Sequence, residues 1–375
     1  MTTTQTDTTP LDLARSAFLA LPGISAATAD EARPHRAADA CDPSSDDRPA
    51  PSRVVHLGVS ADGEVSVSGI EGRIGPAACS IGAFDGVHQG HRFLFAHVVD
   101  DARAQGIASA IVTFDPDPDE LFLPRERVRK LLSNEDRIAY LRTFGADYVV
   151  VVSFTHELAA HSCEGFLHDV LGRVMDVRAI HVGDNFRLGA GNAGTVEHLR
   201  ALGERDGFSV FGHVLRRVDN RPVSATRVRD ALAAGDVDEA SDLLCRPYYL
   251  RGTVVDGRHE GHGLGFPTAN VRIDYPYVMP AEGVYGGFLE AGGVAWPAAI
   301  NVGIPRTFAD REGCAELEAN LLGFSGNLYG ESVRVAFTKF LRPQRKFDDI
   351  DELIATVKGN IAWVGEHYGE AGLTL

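Results

Sequence analysis

Cysteine, methionine and tryptophan are scarce in this chain: 5, 3 and 2 in 375 residues. The cysteines stand far apart, at 41, 79, 163, 245 and 314, and no CxxC pair occurs. An odd number at wide spacing predicts neither a disulfide framework nor a zinc site, and it fits a reducing cytosol. Long apolar runs are also missing. The longest are strand-sized, such as Tyr148–Val152, against the ~20 residues of a membrane span. The N-terminal MTTTQTDTTPLDLARS lacks a basic start followed by an apolar stretch, so it reads as no secretory signal. Basic residues are outnumbered, 36 against 52 acidic, for a net charge of −16. That balance argues against generic nucleic-acid binding, which needs a basic surface to neutralise phosphates. It still allows a nucleotide to be held by backbone N–H groups and a few arginines. No internal repeat is present.

What remains is an ordinary globular composition, 44% hydrophobic and 23% charged, long enough for two domains. Residues 1–76 read as an extension. Within it, 1–52 is rich in Thr, Ala, Asp, Ser and Pro, and Ala38–Ser52 has too few large apolar groups to fold. A short helix is expected over Leu11–Leu21, and two β-like pieces flank a hairpin turn at Ala61-Asp62-Gly63. From Ala77 to Arg246, short apolar runs alternate with helical stretches, including a helix over Glu164–Val174. That rhythm predicts an α/β doubly wound parallel sheet, with ligands beyond the carboxyl ends of its strands. Ser133 and Asp136 resemble a capping box for one of its helices. Residues 247–375 read as an all-β sandwich or barrel, closed by an amphipathic helix over Asp348–Trp363.

The strongest local signal is Gly82-Ala83-Phe84-Asp85-Gly86-Val87-His88-Gln89-Gly90-His91, between the first strand of the alternating region and its helix. Gly82 and Gly86 let the backbone approach phosphate oxygens, and the helix start offers free N–H groups. Two histidines three apart can both reach one polyphosphate and stabilise charge developing on it. Ser224 and Thr226 open the last helix and can donate to phosphate, and Arg229 lies one turn further on. Gly189-Ala190-Gly191-Asn192-Ala193-Gly194 spells a dinucleotide fingerprint. It follows the fourth strand rather than the first, and six residues separate it from that strand, so it predicts no NAD site.

His88–His91 is the HxGH signature of the nucleotidyltransferase superfamily. The fuller block resembles the FAD synthetase module of prokaryotic bifunctional riboflavin kinase/FAD synthetases. Thr113–Pro118, Gly183–Gly189 and Val223–Arg229 match that family in order, so that 77–246 reads as its adenylyltransferase domain. The resemblance implies that His88 and His91 are catalytic. It implies ATP contacts from Gly82, Phe84, Gly86, Ser224, Thr226 and Arg229, and flavin or nucleotide contacts from the loops carrying Asp115, Asp117, Asn185 and Arg187. Asp117 is a departure, because the family usually has histidine there. A carboxylate at that position would repel bound phosphates, hold Mg2+, or point away.

In 247–375 the main block is Gly261-His262-Gly263-Leu264-Gly265-Phe266-Pro267-Thr268-Ala269-Asn270. A glycine loop (Gly261, Gly263, Gly265) followed by Thr and Asn can cradle phosphates and offer hard oxygen ligands to Mg2+. The block resembles riboflavin kinases. The resemblance implies that Thr268 and Asn270 hold Mg2+ and ATP, and that Glu318 is the general base. Departures cluster here, at Glu260, His262, Pro305, Arg306, Asn320, Gly323 and Gln344.

The implied function is bifunctional and cytoplasmic: riboflavin is phosphorylated to FMN, and FMN is adenylylated to FAD with release of pyrophosphate. The expected partners are riboflavin, FMN and ATP, with Mg2+, and neither nucleic acid nor membrane. The alternatives are a monofunctional FAD synthetase with a degenerate kinase module and a non-catalytic flavin sensor.

Overall fold

A computed structural model describes residues 8–18, 51–60, 63–256, 268–303, 317–347 and 349–375. The chain forms two compact units. One comprises Ala38–Val128 and Leu132–Ala225; the other comprises Met1–Ala37, Arg129–Leu131 and Thr226–Leu375.

In the first unit the strands are β1 (Arg53–Val59), β2 (Val65–Ser68), β3 (Gly75–Ile81), β4 (Ala108–Asp115), β5 (Tyr148–Ser153) and β6 (Met175–Gly183). A small ribbon of β7 (Arg187–Leu188) and β8 (Gly194–Thr195) precedes β9 (Ser209–His213). A second ribbon, β10 (Arg217–Val218) and β11 (Arg221–Pro222), follows. The main sheet has the order β2-β1-β5-β4-β3-β6-β9. Only β2 is antiparallel to its neighbour. The strands are apolar because both faces are covered: Ala110–Val112 and Val149–Val152 are buried throughout.

β1 and β2 extend this sheet beyond the expected start at Ala77. β1 pairs in parallel with β5, and alternation along it buries Val55, Leu57 and Val59. β1 and β2 pair antiparallel in the register Val59↔Val65; Ala61 and Asp62 of the expected turn lie outside the described residues.

The first helix among the described residues, α1 (Pro10–Phe18), overlaps the segment expected over Leu11–Leu21, whose last three residues lie outside the described residues, and it belongs to the second unit. It buries Ala14, Ala17 and Phe18, and the Phe18 ring meets Tyr249 edge-on. The first unit carries α2 (Gln89–Gln105), α3 (Pro118–Phe122), α4 (Asn134–Leu141), α5 (His156–Ala159), α6 (Cys163–Gly165) and α7 (Val196–Asp206). Ser133 caps α4 by accepting from the Asp136 N–H at 3.1 Å. The helix expected over Glu164–Val174 is present as one helical stretch, Cys163–Arg173, whose register passes from α6 through a π turn at Phe166–Val170 to a 3-10 turn at Leu171–Arg173. It buries Phe166, Leu167, Val170 and Leu171 in the core.

In the second unit α8 (Ala225–Ala233) and α9 (Val237–Leu244) precede β12 (Tyr248–Val255), β13 (Thr268–Arg272), β14 (Gly283–Ala291), β15 (Val294–Val302), β16 (Leu317–Leu321) and β17 (Ser332–Pro343). The order is β14-β17-β12-β13-β16-β15, and an added β14–β15 pairing closes a six-stranded antiparallel barrel. Closure removes the unpaired edges of an open sheet. Gly287 permits one tight approach, since a Cβ there would lie 1.9 Å from the Ala336 carbonyl oxygen. The closing helix, α10 (Ile350–Tyr368), runs further than expected, because Val364 and Tyr368 are also buried. A short β18 (Leu373–Thr374) adds to β15.

Cys79 and Cys163 are free and buried.

Candidate active sites

Strand order locates the first site. β3 is flanked by β4 on one side and β6 on the other, so successive strands diverge from it. That reversal is the switch point at which open α/β sheets bind ligands. The segment Gly82–His91 leaves β3 there and opens α2.

The local backbone is tightly wound. Phe84, Gly86 and Val87 all have positive φ, at 52°, 75° and 46°. His88 is the N-cap of α2 with extended φ and ψ, and its side chain makes no capping bond. Its imidazole is therefore not spent on the helix start. The His88 and His91 rings stack, with centroids 3.6 Å apart and planes 18° from parallel. Gly90 makes room for this, since a Cβ there would lie 3.1 Å from His88 Cε1. Phe84 and Phe95 pack edge to face at 4.9 Å, and Phe84 also meets His91 edge-on at 5.2 Å.

Burial, then His88, then Arg137 push His91 well below the ordinary histidine range. A second charge beside an existing one costs free energy in a site that water does not screen. His91 is thus a neutral hydrogen-bonding group near pH 7, and its Nδ1 has no partner among the described residues.

The structure shows where the Asp117 carboxylate goes. It points away from solvent, 2% exposed, and serves as the N-cap of α3. It accepts from the Asp119 N–H at 3.1 Å, and the Asp117 N–H donates to Glu120 Oε1 at 3.1 Å. It also pairs with the buried Arg137, 3.4 Å away. Its charge is thus engaged by a helix start and a buried cation. Asp115 lies at the end of β4, where its carbonyl accepts from the Phe154 N–H.

Asn185 and Arg187 are exposed just beyond β6. The Gly183 carbonyl accepts from the Phe186 N–H at 3.0 Å, which turns this loop. The GxGxxG segment is structural. A Cβ on Gly189 would meet the Cys163 nitrogen at 2.4 Å, and one on Gly194 would meet the Leu188 carbonyl oxygen at 2.6 Å.

The Val223–Arg229 block divides between the units. Ser224 belongs with the histidines, and a Cβ on Gly90 would lie 3.7 Å from the neighbouring Val223 carbonyl oxygen. Thr226, exposed, and Arg229 belong to the second unit, where Arg229 Nε donates to the Arg129 carbonyl at 2.9 Å. One aromatic escaped the reading of the sequence. Phe122, at the end of α3, is 56% exposed and packs edge-on against Phe154. An aromatic following a proline-rich turn carried no signal of exposure.

The second site lies on the barrel wall. Thr268 stands opposite Asn320, and Asn270 opposite Glu318, across β13 and β16. Asn301 faces Glu318 from the other side, on β15. Directly opposed residues of antiparallel strands share a face, as do residues two apart. Thr268, Asn270, Glu318, Asn320 and Asn301 therefore form one polar surface. The intervening Val271, Leu317, Ala319, Ile300 and Val302 face the core. Gln344 Nε2 donates to Asn301 Oδ1 at 3.3 Å and to the Val302 carbonyl at 2.9 Å. Among the described residues no three His, Cys, Asp or Glu side chains gather to hold a metal. Thr268 and Asn270 do present hard oxygens on one face, which fits an ion such as Mg2+ that keeps several waters and binds phosphate. Gly261, Gly263 and Gly265 lie outside the described residues.

These two surfaces lie in stretches that match two family models, FAD synthetase over residues 73–227 and riboflavin kinase over 244–367. Curated relatives carry both. A bifunctional riboflavin kinase/FMN adenylyltransferase of Pseudomonas fluorescens is 35% identical over 76% of this chain and 90% of its own. One from Escherichia coli K12 is 34% identical over 77% of this chain and 92% of its own. The chain belongs to the bifunctional riboflavin kinase/FMN adenylyltransferase family. A crystal structure described as a macrolide-efflux protein from Streptococcus pneumoniae is also similar. It has a TM-score of 0.69 and 28% identity, and the match covers 77% of this chain and 94% of that one. Among the described residues no helix is long and apolar enough to cross a membrane.

Proposed function

We propose that this protein phosphorylates riboflavin to FMN and adenylylates FMN to FAD, both with ATP. The observation that carries the reading is the stacked His88–His91 pair at the switch point of the sheet, joined in one chain to the Thr268–Asn270–Glu318 face of the barrel.

In adenylyl transfer the FMN phosphate attacks the α-phosphorus of ATP and pyrophosphate leaves. Little covalent chemistry falls to the protein, so positioning and charge stabilisation dominate. Gly82–Val87 bring backbone N–H groups to the phosphates. His88 and a neutral His91 donate to the oxygens on which charge grows. Ser224, Thr226 and Arg229 bind phosphates at the start of α8. Asn185, Arg187 and the exposed Phe122 ring contact the flavin. Asp115 and Asp117 shape their corner through backbone and buried contacts.

In the kinase reaction Glu318 takes the proton of the ribityl 5′-hydroxyl as that oxygen attacks the γ-phosphorus and ADP leaves. Thr268 and Asn270 would hold Mg2+, which would neutralise phosphate charge. We place these reactions in the cytoplasm.

The test is one assay. Purified protein is given ATP, Mg2+ and either riboflavin or FMN, and products are separated chromatographically. FAD from both substrates is expected. FAD from FMN alone would remove the kinase half of the proposal, and no FAD from either would overturn it.

A further inference from the structure

Arg137 lies on α4, 1% exposed, in a position that no phosphate can reach directly. Its guanidinium donates to four acceptors: the Ala83 carbonyl, the Phe114 carbonyl, Asn134 Oδ1 at 2.9 Å and Asp117 Oδ2 at 3.4 Å. Two of these bonds close a ring. Asn134 Nδ2 donates to Glu120 Oε1 at 2.8 Å, and that same oxygen accepts from the Asp117 N–H. Arg137, Asp117, Glu120 and Asn134 therefore hold one another in place. The Asp117 charge compensates a cation that burial would otherwise penalise.

The bond to Ala83 reaches the phosphate loop. A planar trans peptide places its N–H on the edge opposite its carbonyl. Holding the Ala83 oxygen therefore fixes the direction of the Phe84 N–H. Phe84 sits in the left-handed region, and its N–H meets no backbone carbonyl among the described residues. Its ring is clamped by His91 and Phe95. Backbone N–H groups in such left-handed turns are anion donors.

Resting on the adenylyltransferase reading above, we infer that Arg137, braced by Asp117, is a positioning residue of that site. It holds the Ala83–Phe84 peptide so that the Phe84 N–H is presented to the ATP phosphates. Arg137 touches no substrate; its effect passes through the loop backbone and through His91. The buried pair thus gives the carboxylate at position 117 a task where a histidine would be expected.

The experiment uses the full chain with Arg137→Met, Arg137→Lys and Asp117→Asn, measuring FAD formation from FMN across pH 5.5–8. Loss of one preorganised donor predicts a fall in kcat of roughly 100-fold for Arg137→Met, with the KM for FMN within about twofold and riboflavin phosphorylation unchanged. Removing the cation beside His91 also moves the acid limb of the rate profile to higher pH, a shift that a purely structural role would not produce. Arg137→Lys keeps the charge and one bond, so it holds the wild-type pH profile and recovers about tenfold of the lost rate. Asp117→Asn keeps the helix cap and loses only the brace, and falls between. A wild-type rate and profile in Arg137→Met overturns the inference. So does an equal loss of rate and of cooperative unfolding in all three variants. The His88→Ala, His91→Ala variant separates the two ideas. If it still makes FAD, the site itself is misassigned; if it is inactive while Arg137→Met is normal, only the role of Arg137 fails.

Discussion

Asn270 on β13 stands directly opposite Glu318 on β16, and Asn301 faces the same glutamate from β15. Neither pairing follows from separation along the chain, yet together they put a carboxylate between two amides on one face of the barrel. Glu318→Gln keeps the shape and removes the base. We expect riboflavin phosphorylation to fall by roughly 100-fold or more, in the range for loss of a general base, while FAD formation from added FMN is retained. Equal phosphorylation rates in the two proteins would remove Glu318 from the mechanism.

The histidine pair is tested in the opposite sense. The His88→Ala, His91→Ala double variant should lose FAD formation and keep phosphorylation of riboflavin, read in the same chromatographic assay. FAD synthesis at the wild-type rate would show that the stacked rings serve only to pack the loop.

Gly90 separates activity from stability. Its substitution by alanine places a Cβ 3.1 Å from His88 Cε1 and 3.2 Å from Nδ1, so the ring must shift. In the first turn of a helix, alanine is otherwise favoured over glycine by up to about 1 kcal/mol. Gly90→Ala should therefore lose FAD formation by roughly tenfold or more without lowering the thermal midpoint. A fall in both would point to general disruption of the loop.

A second histidine cluster governs acid stability. His181 Nε2 meets Asp101 Oδ2 at 3.0 Å, and His181 Nδ1 meets His213 Nε2 at 3.0 Å. The His97 ring lies edge-on to His213 at 4.5 Å. Burial, then His97 and His181, push His213 down to about 4 from 6.5. Burial likewise lowers His181, against the pull of Asp101. Groups whose folded values are depressed bind more protons when unfolded. Their contribution is complete above pH 6.5 and is lost as pH falls toward 4. Allowing for partial exposure of His213, about 1 kcal/mol is at stake. Denaturant unfolding of His213→Gln should show a shallower loss of stability between pH 7 and 4 than the wild type. Parallel curves would contradict this.

Much of this molecule was legible from sequence. Short apolar runs alternating with helical stretches specified the parallel sheet, because strands covered by helices on both faces are apolar throughout. The glycines and histidines of 82–91 read as a phosphate loop, and the fold sets that segment at the switch point beside β3. The pairing of Ser133 with Asp136 was local, and local chemistry was enough to read it. Three things were decided only by tertiary structure. β1 joined the sheet because its edge met β5, a contact across roughly 95 residues that no local pattern encodes, and β2 follows by pairing with β1. The helix read over 164–174 widens into a π turn at Phe166–Val170 while its apolar residues stay buried, a register that the helical period does not encode. Asp117 differed most from its local appearance. Beside a phosphate loop its charge looked adverse. Its partner lies 20 residues away on another helix, and only the folded chain brings the two within 3.4 Å, where a buried cation turns a repulsive carboxylate into a brace.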